Sequence, residues 1–227
     1  MSGAPHRHFH DELSDLKARL LQMSADAQAA LGAALDALRE RDADRAAAVI
    51  SGDQGIDSAE LAIEETVIEL LATQQPMARD LRFLTAAMKI ANDLERVGDH
   101  AVNIAQSAQQ LRERGPVAQV PELAEISRQA RKMLADALEA FIRGDTEAAR
   151  AVCRRDDAVD ALHRSVFRIV ITHMMEDPRS ISAGIEMVLV SRNLERVADL
   201  ATNIAEDVVF MVEGRSIKHH AHEGRSA

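Results

Sequence analysis

The sequence predicts an all-α protein, and three observations lead to that fold class. Apolar residues recur at helical spacing almost throughout the 227 residues. The chain contains five phenylalanines, no tyrosine and no tryptophan, with only ten glycines and five prolines. β-Sandwiches and barrels need aromatic and β-branched strands joined by frequent turns, so these counts argue against them. Much of the remainder consists of good helix formers, chiefly alanine, leucine, glutamate and arginine.

Breaks in this pattern divide the chain into six long predicted helices. Asp42 and Asp145 are typical N-cap residues, and Gly144 suits the left-handed position that follows a helix. Gly115-Pro116 and the nearby Pro121 mark the clearest loop, in the middle of the chain. The predicted helices have the approximate bounds 12–41, 42–73, 77–112, 123–143, 145–176 and, beyond Pro178, as far as 212.

An internal repeat relates the two sides of the central loop. Residues 94–105 and 194–205 are identical at nine of twelve aligned positions, at a constant offset of 100. Earlier in each half an acidic pair also matches, at an offset of 103, namely Asp53 and Asp57 with Asp156 and Asp160. The chain is therefore expected to be a tandem duplication.

The duplication predicts two three-helix bundles, because about three helices are needed to bury a core. We expect the first bundle at residues 9–114 and the second at 121–214, related by an approximate two-fold axis. The segments 1–8 and 215–227 are expected to be flexible tails. Helices of this length predict an elongated molecule.

The repeated segment places oxygen-bearing side chains in one stripe on each of two helices. A stripe consists of a glutamate, an aspartate four residues later and an asparagine after four more. The two stripes are Glu95, Asp99 and Asn103, and Glu195, Asp199 and Asn203. Two carboxylates one helical turn apart repel each other unless positive charge lies nearby.

Two interpretations of these stripes stay open. Arg96 and Arg196 can act as ion-pair partners, which makes the stripes a structural salt-bridge network. Alternatively, carboxylate and amide oxygens are hard ligands that suit magnesium, calcium, manganese or iron ions. If the acidic pairs of the preceding helices face the stripes, each half presents four carboxylates to one metal cluster.

Charge and cysteine content limit the partners and the compartment. The formal net charge of −10 argues against nucleic-acid binding. Cys153 is the single cysteine, which excludes an internal disulfide and favours a reducing compartment. Neither a signal peptide nor an apolar run of membrane-spanning length is apparent. We expect a cytoplasmic protein that reaches a membrane only through its partners.

The motifs of common enzymes are missing from the sequence. Glu-x-x-His, which carboxylate-bridged di-iron enzymes use, does not occur. The same holds for the nucleophile elbow, the Walker loop and the dinucleotide-binding glycine motif. We expect no catalytic activity, and the alternative is a carboxylate-bridged, metal-binding redox enzyme of helical-bundle type.

The segments 93–99 and 193–199 resemble the two signature repeats of the PhoU family. Residues 74–82, 203–207 and 212–214 also agree with that family, as does the N-terminal pattern of Phe9, Glu12, Leu13 and Leu16. The resemblance leaves out only the two tails. It implies two tandem three-helix bundles. It also implies that Glu95 with Asp99, and Glu195 with Asp199, belong to motifs that can bind metal clusters. The ion is iron in some members and another divalent metal in others, so iron, Mn, Mg, Zn and Ca all stay open here.

The resemblance further implies a regulatory role without catalysis. Such proteins act between the ATPase subunit of the phosphate-specific transporter and a membrane sensor histidine kinase. They repress phosphate-starvation genes when phosphate is plentiful, they modulate phosphate uptake, and many are homodimers. One departure from the family pattern is Leu200, which stands where the first half has His100. If that histidine supports a metal ligand, the second site is expected to be weaker.

Overall fold

The computed structural model describes residues 4–113 and 120–217 and shows eight α-helices there. A 3-10 helix at Pro178–Ser180 precedes the last of them. The α-helices are α1 (Ala4–Glu40), α2 (Ala43–Gly52), α3 (Gln54–Gln74), α4 (Arg79–Glu113), α5 (Pro121–Arg143), α6 (Thr146–Cys153), α7 (Asp156–Glu176) and α8 (Ile181–Glu213). None of these helices is long and apolar enough to cross a membrane.

The helices form two similar halves that meet along α4 and α8. In the first half α1, α2 and α3 pack against α4, and in the second half α5, α6 and α7 pack against α8. The contact between α4 and α8 is the most extensive of all helix pairs. The all-α architecture with six long helical segments is therefore confirmed.

The second and fifth predicted helices are each interrupted, although the sequence pattern predicted them to be continuous. The first break lies at Asp53, between two residues of low helix propensity, Gly52 and Gly55. The second lies at Arg154 and Arg155, where the amide of Arg155 donates to the carbonyl of Val152, three residues back. Both breaks fall at or just before the first acidic residue of the repeated pair. As a result, the predicted helix 42–73 is divided into α2 and α3, and the predicted helix 145–176 is divided into α6 and α7.

Two helix starts also differ from their predicted positions. Helix α1 begins at Ala4 rather than near residue 12, so part of the segment expected as a tail is helical. Helix α4 begins at Arg79 rather than near Met77, because Gln75 and Ala78 have positive φ angles of 47° and 46°. Residues 1–3 and 218–227, which belong to the predicted tails, lie outside the described residues.

The predicted helix caps are confirmed. Asp42 accepts hydrogen bonds from the amides of Asp44 and Arg45, and Asp145 accepts one from Ala148. Gly144 ends α5 in the left-handed conformation with φ 64°. The two aspartate caps begin the short helices α2 and α6.

One apolar core runs through both halves. The apolar residues on the face beside each stripe are all buried; they are Leu94, Val97, Ala101, Ile104 and Ala105, with Leu194, Val197, Ala201, Ile204 and Ala205. The rings of Phe83 in α4 and Phe141 in α5 stack across the halves, with centroids 6.4 Å apart.

Candidate functional site

The two predicted stripes lie on the long central helices, one in each half. On α4 the Glu95 side chain is half-buried and Asp99 is exposed. On α8 both Glu195 and Asp199 are half-buried. The asparagines lie one turn further along, with Asn103 exposed and Asn203 half-buried. The second stripe is thus the more enclosed of the two.

In the first half the acidic pair of α3 lies against the stripe of α4. Burial, followed by the charges of Asp57 and Asp99, raises the pKa of Asp53. Burial also raises the pKa of Glu95, and the charges of Asp99, Asp57, Glu60 and Asp53 add to that effect. These five carboxyl groups form the first cluster, in which like charges oppose full ionisation.

Gly98 allows this close approach of α3 to α4. A Cβ atom at this position would lie 2.9 Å from Oδ1 of Asp53 and 3.2 Å from Cδ1 of Ile56. Real Cβ atoms do not approach an oxygen so closely, so a larger residue would push the two helices apart. The second half has Ala198 at the equivalent position.

In the second half three carboxylates come close enough to share one cation. Oxygen atoms of Asp160, Glu195 and Asp199 all lie within 4.8 Å of one another. In the part of the chain that the structure describes, this is the single group of three histidine, cysteine or acidic side chains with that geometry. Asp156 completes the second cluster from the start of α7.

Burial and like charge act together on Asp156 in the second cluster. Burial, with the nearby charges of Asp199 and Asp160, raises the pKa of Asp156 to about 6. The hydroxyl of Thr202 donates to Oδ1 of Asp156 over 3.3 Å and partly offsets the shift. Burial is also the main reason why the pKa of Asp199 is raised.

The arginines that follow the glutamates differ between the halves. Arg196 Nη1 lies 2.9 Å from Oδ2 of Asp199, and its Nε lies 3.6 Å from Oε2 of Glu195. Among the described residues, Arg96 makes no comparable ion pair with a carboxylate. In the second cluster the guanidinium group of Arg196 therefore reduces the repulsion between carboxylates. In the first cluster Arg96 does not do so.

His100 connects the two halves instead of adding to its own stripe. Its Nδ1 lies 2.9 Å from Oδ1 of Asn193 on α8. Burial lowers the pKa of His100, against the opposing effect of that hydrogen bond. Because Leu200 replaces the histidine in the second half, the contact has no counterpart there.

Three residues that contribute to the clusters were not predicted from the sequence. Glu60 lies three residues after Asp57 on α3 and is aligned with His163 in the second half, so the repeat did not mark it. Thr202 is aligned with Val102, so the repeat did not mark it as a polar position. Gly98 has no side chain that could serve as a ligand. A search for polar residues on the faces of α3 and α8 next to the stripes would have found Glu60 and Thr202.

The donor set of both clusters suits a hard divalent cation. All the grouped atoms are carboxylate oxygens, which magnesium, calcium, manganese and iron accept and which lack the nitrogen or sulfur that zinc prefers. A cation would relieve the like-charge repulsion that adds to burial in raising the pKa of Asp53, Glu95 and Asp156. The residues therefore fit a metal, although Arg196 already supplies one positive charge to the second cluster.

Comparisons of the sequence and of the structure with known proteins all identify the same family. The PhoU domain family model matches residues 20–108 and 123–208. The phosphate-specific transport system accessory protein PhoU homolog of Pseudomonas putida is 39% identical over 213 residues, which cover 93% of this chain and 83% of that protein. The crystal structure of PhoU from Pseudomonas aeruginosa matches with a TM-score of 0.89 and 38% identity, over 91% of this chain and 100% of that one. The phosphate transport system regulatory protein PhoU from Streptococcus pneumoniae matches with a TM-score of 0.86 and 31% identity, over 92% and 99% of the chains.

Proposed function

Because this chain belongs to the PhoU family, we propose that it is a non-catalytic adaptor that keeps phosphate-starvation genes silent when phosphate is plentiful. The broader role, as an accessory and regulatory protein of phosphate transport, follows from the membership itself. One observation carries the proposal: the family match extends along both halves of the chain, and each half has its own carboxylate stripe.

The partners in this proposal are the ATPase subunit of a phosphate transporter and a sensor histidine kinase. Contact with the ATPase modulates uptake, and contact with the kinase holds it inactive in the cytoplasm at the membrane surface. Long helices with continuous outer faces support such docking. The net charge of −10 favours basic partner surfaces and makes the association sensitive to salt.

Alkaline phosphatase activity in phosphate-replete cells tests the regulatory role. We expect the activity to become constitutive when the gene is deleted and to return to the repressed level when the wild-type chain is supplied again. Unchanged activity after deletion would show that this chain does not repress these genes, while its family membership would stand.

We also propose that the carboxylate clusters bind a hard divalent metal ion. The three oxygen atoms within 4.8 Å of one another in the second cluster support this. The uncompensated repulsion among Asp53, Glu95 and their neighbours supports it in the first. A bound cation would fix α3 against α4 and α7 against α8, and so set the shape of the outer face that a partner meets.

Thermal unfolding of purified, tag-free protein with added Mn²⁺ tests the metal proposal. We expect the melting temperature to rise, since a ligand at about 100 times its Kd stabilises by about 2.7 kcal/mol. Combined Asp160→Asn and Asp199→Asn should abolish the response of the second cluster. Asp11→Asn with Asp15→Asn, an equal charge change on exposed positions of α1, should leave it intact.

Arg196→Met separates the two interpretations of the second cluster. If the cluster binds metal, the variant frees Asp199 from its ion pair and should increase the Mn²⁺-induced shift. If the cluster is a salt-bridge network alone, the variant should lower stability by about 1 kcal/mol or less and leave the response to Mn²⁺ unchanged.

A further inference from the structure

A groove lies between α1 and α5, the two antiparallel helices that begin the halves. Residues 28–41 and 120–135 form its walls, and Leu111 of α4 and Met187 of α8 complete the lining; we name it the α1–α5 groove. Its volume is about 1020 Å³, at the upper end of the roughly 300–1,000 Å³ of small-molecule sites. Because four helices contribute to the lining, the groove surrounds an occupant on several sides, which favours a compact molecule.

The floor of the α1–α5 groove is apolar. Among the lining residues that the structure describes, every buried one has an apolar side chain; these are Leu31, Leu35, Leu111, Val120, Leu134 and Met187. The polar lining side chains are half-buried or exposed, and they therefore lie along the edges. An apolar group placed on this floor would release water from both surfaces, which is favourable.

The fold itself does not require so open a space at this position. The equivalent space at the other end of the helix pair has a volume of about 750 Å³, and the stacked rings of Phe83 and Phe141 lie in its lining. The internal repeat places Ala183 and Leu38 at these two positions beside the α1–α5 groove. The wider groove is thus a property of this sequence rather than of the duplicated architecture.

The edges of the groove are basic, although the chain as a whole has a net charge of −10. Of the charged side chains in the described lining, five are basic and one is acidic; they are Arg39, Arg41, Arg128, Arg131 and Lys132, against Asp36. Three of the basic groups pair with carboxylates of their own helix. These are Arg39, Arg128 and Lys132, with N–O distances of 2.9, 2.6 and 3.1 Å.

The other two cations are available to a ligand. Within the described part of the chain, neither Arg41 nor Arg131 forms an ion pair with a carboxylate. A Cβ on Gly32 would lie 3.6 Å from Nη2 of Arg131, so this guanidinium group reaches across from α5 to the backbone of α1. Arg41 directly follows the end of α1 and is exposed. The two unpaired guanidinium groups therefore come from opposite walls of one apolar groove.

We propose that the α1–α5 groove binds an organic anion, in which a carboxylate or phosphate group is attached to an apolar body. Arg131 and Arg41 hold the oxyanion, because a guanidinium group donates two parallel hydrogen bonds to either kind of oxyanion. The buried leucines and Met187 surround the apolar body. This site stands whether or not the chain regulates phosphate genes.

Fluorescence titration of the full chain with anilinonaphthalene sulfonate tests the proposal, since this dye is an organic anion that emits strongly in apolar sites. We expect one saturable site per chain. Arg131→Gln should weaken the affinity at least about tenfold, because a charge-assisted hydrogen bond is lost. Arg168→Gln makes the same change beside the exposed Phe167 on α7 and should leave the affinity within about twofold.

A second variant tests the groove without changing its charge. Ala124 is exposed in the lining, and Ala124→Phe should fill part of the space and weaken dye binding at least about tenfold. Ala48→Phe on the exposed side of α2, outside the groove, should leave dye binding unchanged. Circular dichroism and thermal unfolding of each variant check that the helices are intact.

The charge of the ligand is tested with other small molecules. Phenylnaphthylamine, the uncharged analogue of the dye, should bind the wild type at least about tenfold more weakly and should not respond to Arg131→Gln. Dodecanoate and dodecyl phosphate, below their micelle concentrations, should displace the dye, and the stronger competitor identifies the oxyanion that the groove prefers.

Four results would overturn the proposal. The first is a wild type without a saturable dye site, and the second is binding that Arg131→Gln and Ala124→Phe both leave intact. The third is a loss of affinity in Arg168→Gln alone, because the dye would then occupy α7. The fourth is a wild type that does not bind the dye but binds a synthetic amphipathic peptide with glutamates beside a leucine stripe, because the groove would then accept a helix.

Discussion

At the scale of single residues, the carboxylate clusters combine burial with like charge. Asp156 shows the effect most clearly, since its pKa is raised to about 6 by burial and by Asp199 and Asp160. Its ionised form is therefore less favourable in the folded protein than in the unfolded chain, where an aspartate has a pKa of about 3.9. The cost to stability is fully present above about pH 6 and is relieved as the pH falls towards 4.

Asp156→Asn should stabilise the metal-free protein at pH 7.5. The amide removes the unfavourable charge and can still accept the hydrogen bond from Thr202. We expect a gain of roughly 1 kcal/mol, because solvent screening reduces the full value of a two-unit pKa shift. Urea unfolding with a chelator at pH 7.5 and at pH 4.5 measures it, and the gain should shrink at the lower pH.

The exposed Asp15→Asn in α1 serves as the control for a change of one charge. It should alter stability by a few tenths of a kcal/mol at most. Equal effects of the two variants, or a gain that grows at low pH, would show that Asp156 does not carry the repulsion.

At the scale of helices, the joint between α1 and α2 repeats the joint between α5 and α6. Arg41, with φ 55°, and Gly144, with φ 64°, occupy the left-handed position. The next amide donates back to Ala37 over 3.0 Å in the first joint and to Ala140 over 2.9 Å in the second. Both joints use the same C-terminal hydrogen bond, but the first places a side chain where glycine is preferred.

Arg41→Gly should therefore stabilise the protein by about 0.5–1 kcal/mol. The reverse change at the equivalent joint, Gly144→Arg, should destabilise it by about 1 kcal/mol or more. Urea unfolding of both variants at neutral pH gives the comparison. Arg41→Ala keeps the Cβ and should show no gain, so a similar stabilisation by alanine would contradict a conformational cause.

At the scale of the whole molecule, polar contacts between the halves use residues that the duplication did not keep. Nζ of Lys89 on α4 lies 3.3 Å from Oδ1 of the buried Asp207 on α8 and 5.3 Å from the centroid of the Phe210 ring. The equivalent residues are Leu189 and Ser107. The bond from His100 to Asn193 likewise has no symmetric counterpart. The halves are equivalent in fold but not in the contacts that join them.

Lys89→Met and Asp207→Ser should each destabilise the protein by about 1–3 kcal/mol, since each leaves the other partner without this ion pair. Serine is the residue that the repeat has at the equivalent position. In a double-mutant cycle measured by urea unfolding, we expect a coupling of about 1–2 kcal/mol. Coupling below about 0.5 kcal/mol would mean that the pair contributes little to joining the halves.

The architecture and the stripes could be predicted because they depend on spacing along the chain. Helical periodicity, aspartate caps and the internal repeat can all be recognised in the linear sequence, and they led to six helical segments in two similar halves. The stripes followed because residues four apart lie on one side of any helix. The role of these carboxylates in metal binding stays a prediction.

What only the tertiary structure decided are the relations between helices. Glu60 and Thr202 join the clusters through the packing of α3 on α4 and of α7 on α8. Arg196 pairs with its stripe while Arg96 does not, although Leu-Glu precedes and Val follows both of them. The close contact of α4 with α8 depends on surfaces that lie far apart in the sequence. A local pattern fixes which side of a helix a residue occupies, but only packing determines what that side meets.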